Sequence, residues 1–176
     1  MVRLGDLIDL PRPGNGFAGD HWPGFLADPR VASLGWPTEV VQQFLFDHGK
    51  NPDFLDQYGH LELETVEWTL DALAGGEFQE ASCYEGFQAW FDSAERDPEY
   101  HLGMRPADRA HWTEFDTWRV PPVLLDRALL PASQAGLHIV EGHTRIGILR
   151  GRIRLGQTPA QATHTAFVGR EATTVT

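Results

Sequence analysis

The chain has 176 residues, 41% hydrophobic and 22% charged, enough apolar material for one compact domain and too much for a disordered one. Its 14 Lys and Arg stand against 25 Asp and Glu, a formal charge of −11, which argues against unaided binding along a DNA duplex, where clustered basic residues must neutralise phosphates. The single cysteine, Cys83, excludes an intramolecular disulfide, and Met1–Pro13, broken by Asp6 and Asp9 and stopped by Pro11 and Pro13, does not read as a secretion signal.

No apolar run approaches the roughly 18 residues of a membrane-spanning helix, so a cytoplasmic location and no membrane partner are expected. Charge is unevenly spread: residues 1–118 carry 22 acids against 7 bases, and residues 119–176 carry 3 against 7. Two organisational units are expected: an acidic, Trp-rich, mainly helical unit over 1–118 and a basic unit over 119–176.

In chain order, residues 1–10 read as a strand of the core sheet or a lead-in segment, and Pro11 to Pro29, with four glycines and four prolines, as irregular. Pro37–His48 reads as a helix: Pro37 suits its start, Val40, Val41, Phe44 and His48 recur at helical steps, and Gly49 suits its end. Further helices are predicted over Pro52–Tyr58, Glu62–Ala74, Tyr84–Phe91 and Pro106–Phe115. All six tryptophans lie between positions 22 and 118, which predicts a helical packing unit.

From Arg119 the texture changes. Val120–Leu125 is β-type and entered through two prolines. Leu129–Gly136 reads as a turn region, and Leu137–Glu141 alternates like a strand. A helix follows from Gly142, with Ile146, Leu149 and Ile153 on one stripe and Gly147 and Gly151 expected to let it lie close to the sheet. Ala162–Val168 reads as a last strand. The order is strand, strand, helix, strand.

The candidate site is Glu141-Gly142-His143-Thr144-Arg145, a strand end, a glycine turn and a helix start. First-turn amides have no intrahelical acceptor, and the helix dipole adds partial positive charge, so an anion, most simply a phosphate, suits the turn. Arg145 opposes that dipole unless an anion is also present, whereas Arg150, Arg152 and Arg154 sit where cations are favoured anyway. Glu141, at the carboxyl end of its strand, is a candidate ligand for a divalent metal or acceptor of a hydroxyl proton. A simpler reading pairs Arg145 with Glu141 or with an acid of the helical unit.

This segment resembles the ParB/sulfiredoxin-like superfamily, whose turn has a Gly-x-x-Arg core, matched here by Gly142 and Arg145. His143 stands where sulfiredoxins have their reactive cysteine, and His143 and Thr144 stand where ParB proteins have Glu and Arg. The free-serine-kinase version, Asp-Gly-His-His-Arg, is nearest. The resemblance covers roughly residues 119–168, with Arg3–Leu10 as a candidate first strand, and implies a small mixed sheet in the C-terminal third. It does not extend to the acidic stretch, which is expected as a large helical insertion or N-terminal unit and makes the fold α+β. It implies a nucleotide-binding protein, an NTPase or phosphotransferase that uses a nucleoside di- or triphosphate with Mg²⁺. Gly142, His143, Thr144 and Arg145 would hold phosphates; Glu141, His143 and Arg145 would act in catalysis, and Glu141 would hold the metal. The alternative is a non-enzymatic antitoxin, immunity or defence-associated factor whose acidic surface meets a basic protein partner.

Other signals are weaker. Gly75-Gly76-Glu77-Phe78 spells a diguanylate-cyclase signature but is expected at a helix end. His138, His143 and His164 form a zinc set only if their strands converge. Asp47-His48 looks like half of a catalytic dyad, Cys83 is flanked by acids, and Trp68, Trp90, Trp112 and Trp118 are expected in the core.

Overall fold

Residues 1–11, 21–131 and 134–172 are described in the computed structural model. Five strands, β1 Val66–Ala74, β2 Ser82–Cys83, β3 Val123–Asp126, β4 Leu137–Glu141 and β5 Thr163–Glu171, make one mixed sheet in the order β1-β5-β3-β4-β2. β1 runs antiparallel to β5 and β3 antiparallel to β4, whereas β3–β5 and β2–β4 are parallel pairs. The helices are α1 His21–Ala27, α2 Pro29–Ala32, α3 Thr38–Val40, α4 Pro52–Tyr58, α5 Gly75–Glu80, α6 Glu85–Arg96, α7 Pro106–Phe115 and α8 His143–Arg154. A π-helical turn over Val41–Phe46 continues α3.

The two-residue period of the strands divides the apolar residues between two layers. Val123, Leu125, Val140 and Phe167 pack with Leu4, Phe25, Phe44, Phe54 and Tyr58 from the first 65 residues. Leu124, Ile139 and Val168 point the other way, onto Phe78, Phe91, Trp112, Ile146 and Leu149 of α5–α8. The sheet is therefore sandwiched between helical layers, and both layers draw on residues from either side of position 118.

The fold is mixed α and β, as expected, but its sheet is not confined to the C-terminal third, because β1 and β2 come from the earlier part. The largest correction concerns Glu62–Ala74, expected as a helix. It is a 3-10 turn, Leu63–Thr65, followed by β1, which pairs with β5 in unbroken register from Val66–Glu171 to Ala74–Thr163. The Val66, Leu70 and Leu73 spacing fits a helical stripe, but in the strand Val66 and Leu73 face opposite cores and Leu70 is exposed. A partner strand about a hundred residues away decides the conformation. Gly75-Gly76-Glu77-Phe78 accordingly follows a strand and opens α5 rather than ending a helix.

Residues 1–10 do not join the sheet: Leu4–Leu7 is a 3-10 turn, and Arg3 makes only an isolated bridge with Glu62. Of the stretch expected to be irregular, positions 21 onward form α1 and α2, and 12–20 lie outside the described residues. Within the Leu129–Gly136 turn, 132 and 133 also lie outside them. Gly147 and Gly151 serve a close approach, but to α6 rather than to the sheet. A Cβ at 147 would sit 2.8 Å from Ala94 Cβ and Phe91 O, and one at 151 would collide with Glu95 O.

Three of the seven arginines after position 118 pair with acids before it. Arg119 pairs with Asp108 at 3.2 Å, Arg152 with Asp116 at 2.9 Å and Arg170 with Asp71 at 2.7 Å. Among the described residues, no helix is long and apolar enough to cross a membrane.

Candidate functional site

β4 ends at Glu141, and Gly142 turns the chain into α8 at φ +106°, a left-handed conformation that favours glycine. A Cβ there would also stand 2.5 Å from Pro122 Cβ, so the turn needs both the dihedral freedom and the missing side chain. The first α8 hydrogen bond is Ile146 N–H to Gly142 O, 2.9 Å, which leaves the amides of His143, Thr144 and Arg145 without intrahelical acceptors. These residues line a cavity of about 650 Å³ outside the carboxyl end of β4. Its walls come from both layers: Gln43 and Asp47 on one side, Phe87, Trp90 and Met104 on the other, with Arg105 and Arg119 also lining it.

Arg145 is held internally. It donates to Val120 O at 2.7 Å, Pro121 O at 3.4 Å, Gln43 Oε1 at 2.7 Å and Glu141 Oε1 at 3.3 Å. Of the five guanidinium N–H groups, only that on Nε lacks an acceptor among the described residues, and Nε lies against Gly142. The simpler expectation for this arginine, a pair with Glu141, is therefore observed. A cation in the first turn is tolerated because three oxygens of the 120–121 segment and Gln43, plus the Glu141 carboxylate, surround it.

Glu141 is equally committed. Its Oε1 accepts from Arg145, and Oε2 lies 3.2 Å from His48 Nε2. Burial raises its pKa, but the His48 hydrogen bond and the Arg145 charge outweigh that and hold the carboxyl at about 2. The same hydrogen bond raises the pKa of His48. A carboxylate engaged at one oxygen by a guanidinium and at the other by an imidazole is a weak proton acceptor and does not fit a resident Mg²⁺. Among the described residues, no group of three or more His, Cys, Asp or Glu could hold a metal ion. Asp47 is the freer carboxyl on this wall: it makes no side-chain hydrogen bond among the described residues, and burial raises its pKa.

His143 and Thr144 both line the cavity. His143 is 7% exposed, its ring packs on Phe87 at 4.8 Å, and its Nε2 is buried without a hydrogen-bond partner. Burial lowers its pKa to about 4, so the ring is neutral at pH 7. A neutral, orphaned ring nitrogen sealed from solvent is a polar group without compensation. Thr144 Oγ1 accepts the Trp90 indole N–H at 2.8 Å, which orients the hydroxyl and leaves its own hydrogen to donate.

The three histidines do not converge. His138 lies between Tyr58 Oη and Ser82 Oγ, each at 2.9 Å, and His164 Nδ1 lies 3.0 Å from Thr117 Oγ1 among Phe78, Trp112 and Trp118. Cys83 is half-buried, donates to Gln88 Oε1 at 3.1 Å, and has its thiol pKa raised by burial.

Sequence reasoning missed Gln43 and the 120–121 carbonyls, which carry no local signal. It noticed Asp47-His48 without linking the pair to Glu141, about 90 residues later. Trp112 and Trp118 are core residues at 3% and 4% exposure, as expected, but Trp90 is 46% exposed on the cavity wall. No family model, curated protein or solved structure matches the chain.

Proposed function

We propose that this protein binds a nucleotide, with its phosphates at the amino end of α8. One observation carries the reading: His143, Thr144 and Arg145, whose amides have no intrahelical acceptor, line a cavity together with Arg105. Backbone amides and the Thr144 hydroxyl offer several donors around one anion, and the helix dipole favours negative charge there. Arg105 lines the same cavity and forms no ion pair among the described residues. The volume is in the range of small-molecule sites. The likeness of Glu141-Gly142-His143-Thr144-Arg145 to the Gly-x-x-Arg turn of the ParB/sulfiredoxin-like superfamily supports a nucleotide rather than a simple anion.

Roles divide differently from those implied by the motif alone. Gly142 shapes the turn, the His143 amide and Thr144 touch the ligand, and Arg145 and Glu141 hold the turn to the 120–121 segment and the π-helical turn. The geometry supports binding more directly than turnover, and a phosphotransferase or NTPase step would draw its proton acceptor from Asp47 rather than Glu141.

Thermal melting tests the reading. ATP, ADP and CTP are titrated in turn, because a ligand that binds the native state raises Tm with its concentration over Kd. At least one should shift the wild type. The variant Thr144→Asp should fold, since a carboxylate suits a helix amino end and still accepts from Trp90, yet lose at least about tenfold in affinity by occupying the anion position. No shift with any nucleotide, or equal binding by Thr144→Asp, overturns the proposal.

A further inference from the structure

Resting on that reading, the structure assigns Trp90 as the residue that receives the base: its indole is the stacking platform for the nucleoside of the bound nucleotide. Three observations place it there. Trp90 lines the cavity and is 46% exposed, whereas Trp112 and Trp118, the other tryptophans on that wall, are 3% and 4% exposed and have little surface to offer. Its N–H already reaches Thr144 Oγ1 at 2.8 Å, so the ring stands beside the residue whose amide and hydroxyl face the anion. That is where the nucleoside of a phosphate-anchored nucleotide would lie.

The ring is also held in place. His101 packs edge-to-face with it at 4.7 Å and 84°. Gly103 lies so close that a Cβ there would stand 3.1 Å from Trp90 Cζ2 and 2.9 Å from Thr144 Oγ1. A fixed, half-exposed indole with its only donor satisfied has a π surface left to use. Stacking of a base on such a surface changes affinity by about five- to hundredfold. With no donor left for a base edge, Trp90 would separate nucleotides from inorganic phosphates more than one base from another.

The test compares inorganic tripolyphosphate with the four ribonucleoside triphosphates by titration calorimetry, on wild type, Trp90→Phe and Trp90→Leu. The wild type should bind at least one nucleotide fivefold or more tighter than tripolyphosphate. Trp90→Phe keeps an aromatic face and loses the N–H, so it should retain most of that preference. Trp90→Leu should abolish it while binding tripolyphosphate as Trp90→Phe does, since both variants lose the same N–H to Thr144. A preference undiminished in Trp90→Leu overturns the assignment, as does equal weakening of both ligand types, which would make Trp90 only a support for Thr144. Loss of preference in Trp90→Phe as complete as in Trp90→Leu would also overturn it. Tripolyphosphate bound by the wild type with no nucleotide preference sinks the base platform alone. Binding of neither sinks the nucleotide reading itself.

Discussion

Arg145 does two opposed things at one position. It brings a positive charge to a helix amino end, where the dipole disfavours it, and it supplies donors to two backbone carbonyls, an amide oxygen and a carboxylate. Four hydrogen bonds in a mostly buried setting outweigh a dipole term of about 0.3–1 kcal/mol. Replacing Arg145 with Ala should therefore cost stability first, roughly 3–5 kcal/mol, because the Glu141 carboxylate loses its guanidinium partner in a partly buried setting. Denaturant unfolding measures that loss; a change under about 1 kcal/mol would show that the hydrogen bonds contribute little. His143 shows the opposite case, a short polar side chain with every reason to be bonded and an orphaned nitrogen instead. The sequence pointed to these five positions as one unit, yet the role of Arg145 as fastener depends on partners 25 and 102 positions away in the chain.

At the scale of elements, α8 is set by two different uses of glycine. Gly142 begins it in a backbone conformation few side chains adopt, while Gly147 and Gly151 let α6 pass against it. Arg150 then ties α8 to the end of α5 through Phe78 O at 2.9 Å and Ala81 O at 2.5 Å, with its guanidinium over the Phe91 ring at 4.3 Å. The arginines of α8 that looked unremarkable by position are thus cross-links between helices. Gly151→Ala should destabilise the protein by about 1–3 kcal/mol through overpacking against Glu95 O and Pro98. Gly24→Ala, in α1 with nothing within 4 Å of the new Cβ, should instead be neutral or stabilise by up to about 1 kcal/mol. Unfolding midpoints of the two variants check the contrast, and equal effects would mean that the α6–α8 seam has slack.

For the whole molecule, the decisive fact is that the sheet and both cores are shared by the two parts of the chain. β5 has β1 as its long partner, α8 packs on α6, and Arg119, Arg152 and Arg170 find their acids before position 118. A fragment of residues 119–176 should accordingly lack a cooperative fold, its strands unpaired on one edge and its apolar face open. Circular dichroism melting of that fragment reads the outcome, and a sigmoidal transition would show that the C-terminal part is autonomous. By itself, the sequence determined the elements whose signals are local: α4 and α7, opened by Pro52 and Pro106, and the order β3, β4, α8, β5, marked by alternation and by Gly142. Only the tertiary structure decided that Val66–Ala74 is a strand, that Arg145 turns inward and that Trp90 is left half-exposed beside a cavity. Each of those outcomes is fixed by contact with a distant segment, and side-chain spacing along one stretch carries no information about what will stand opposite it.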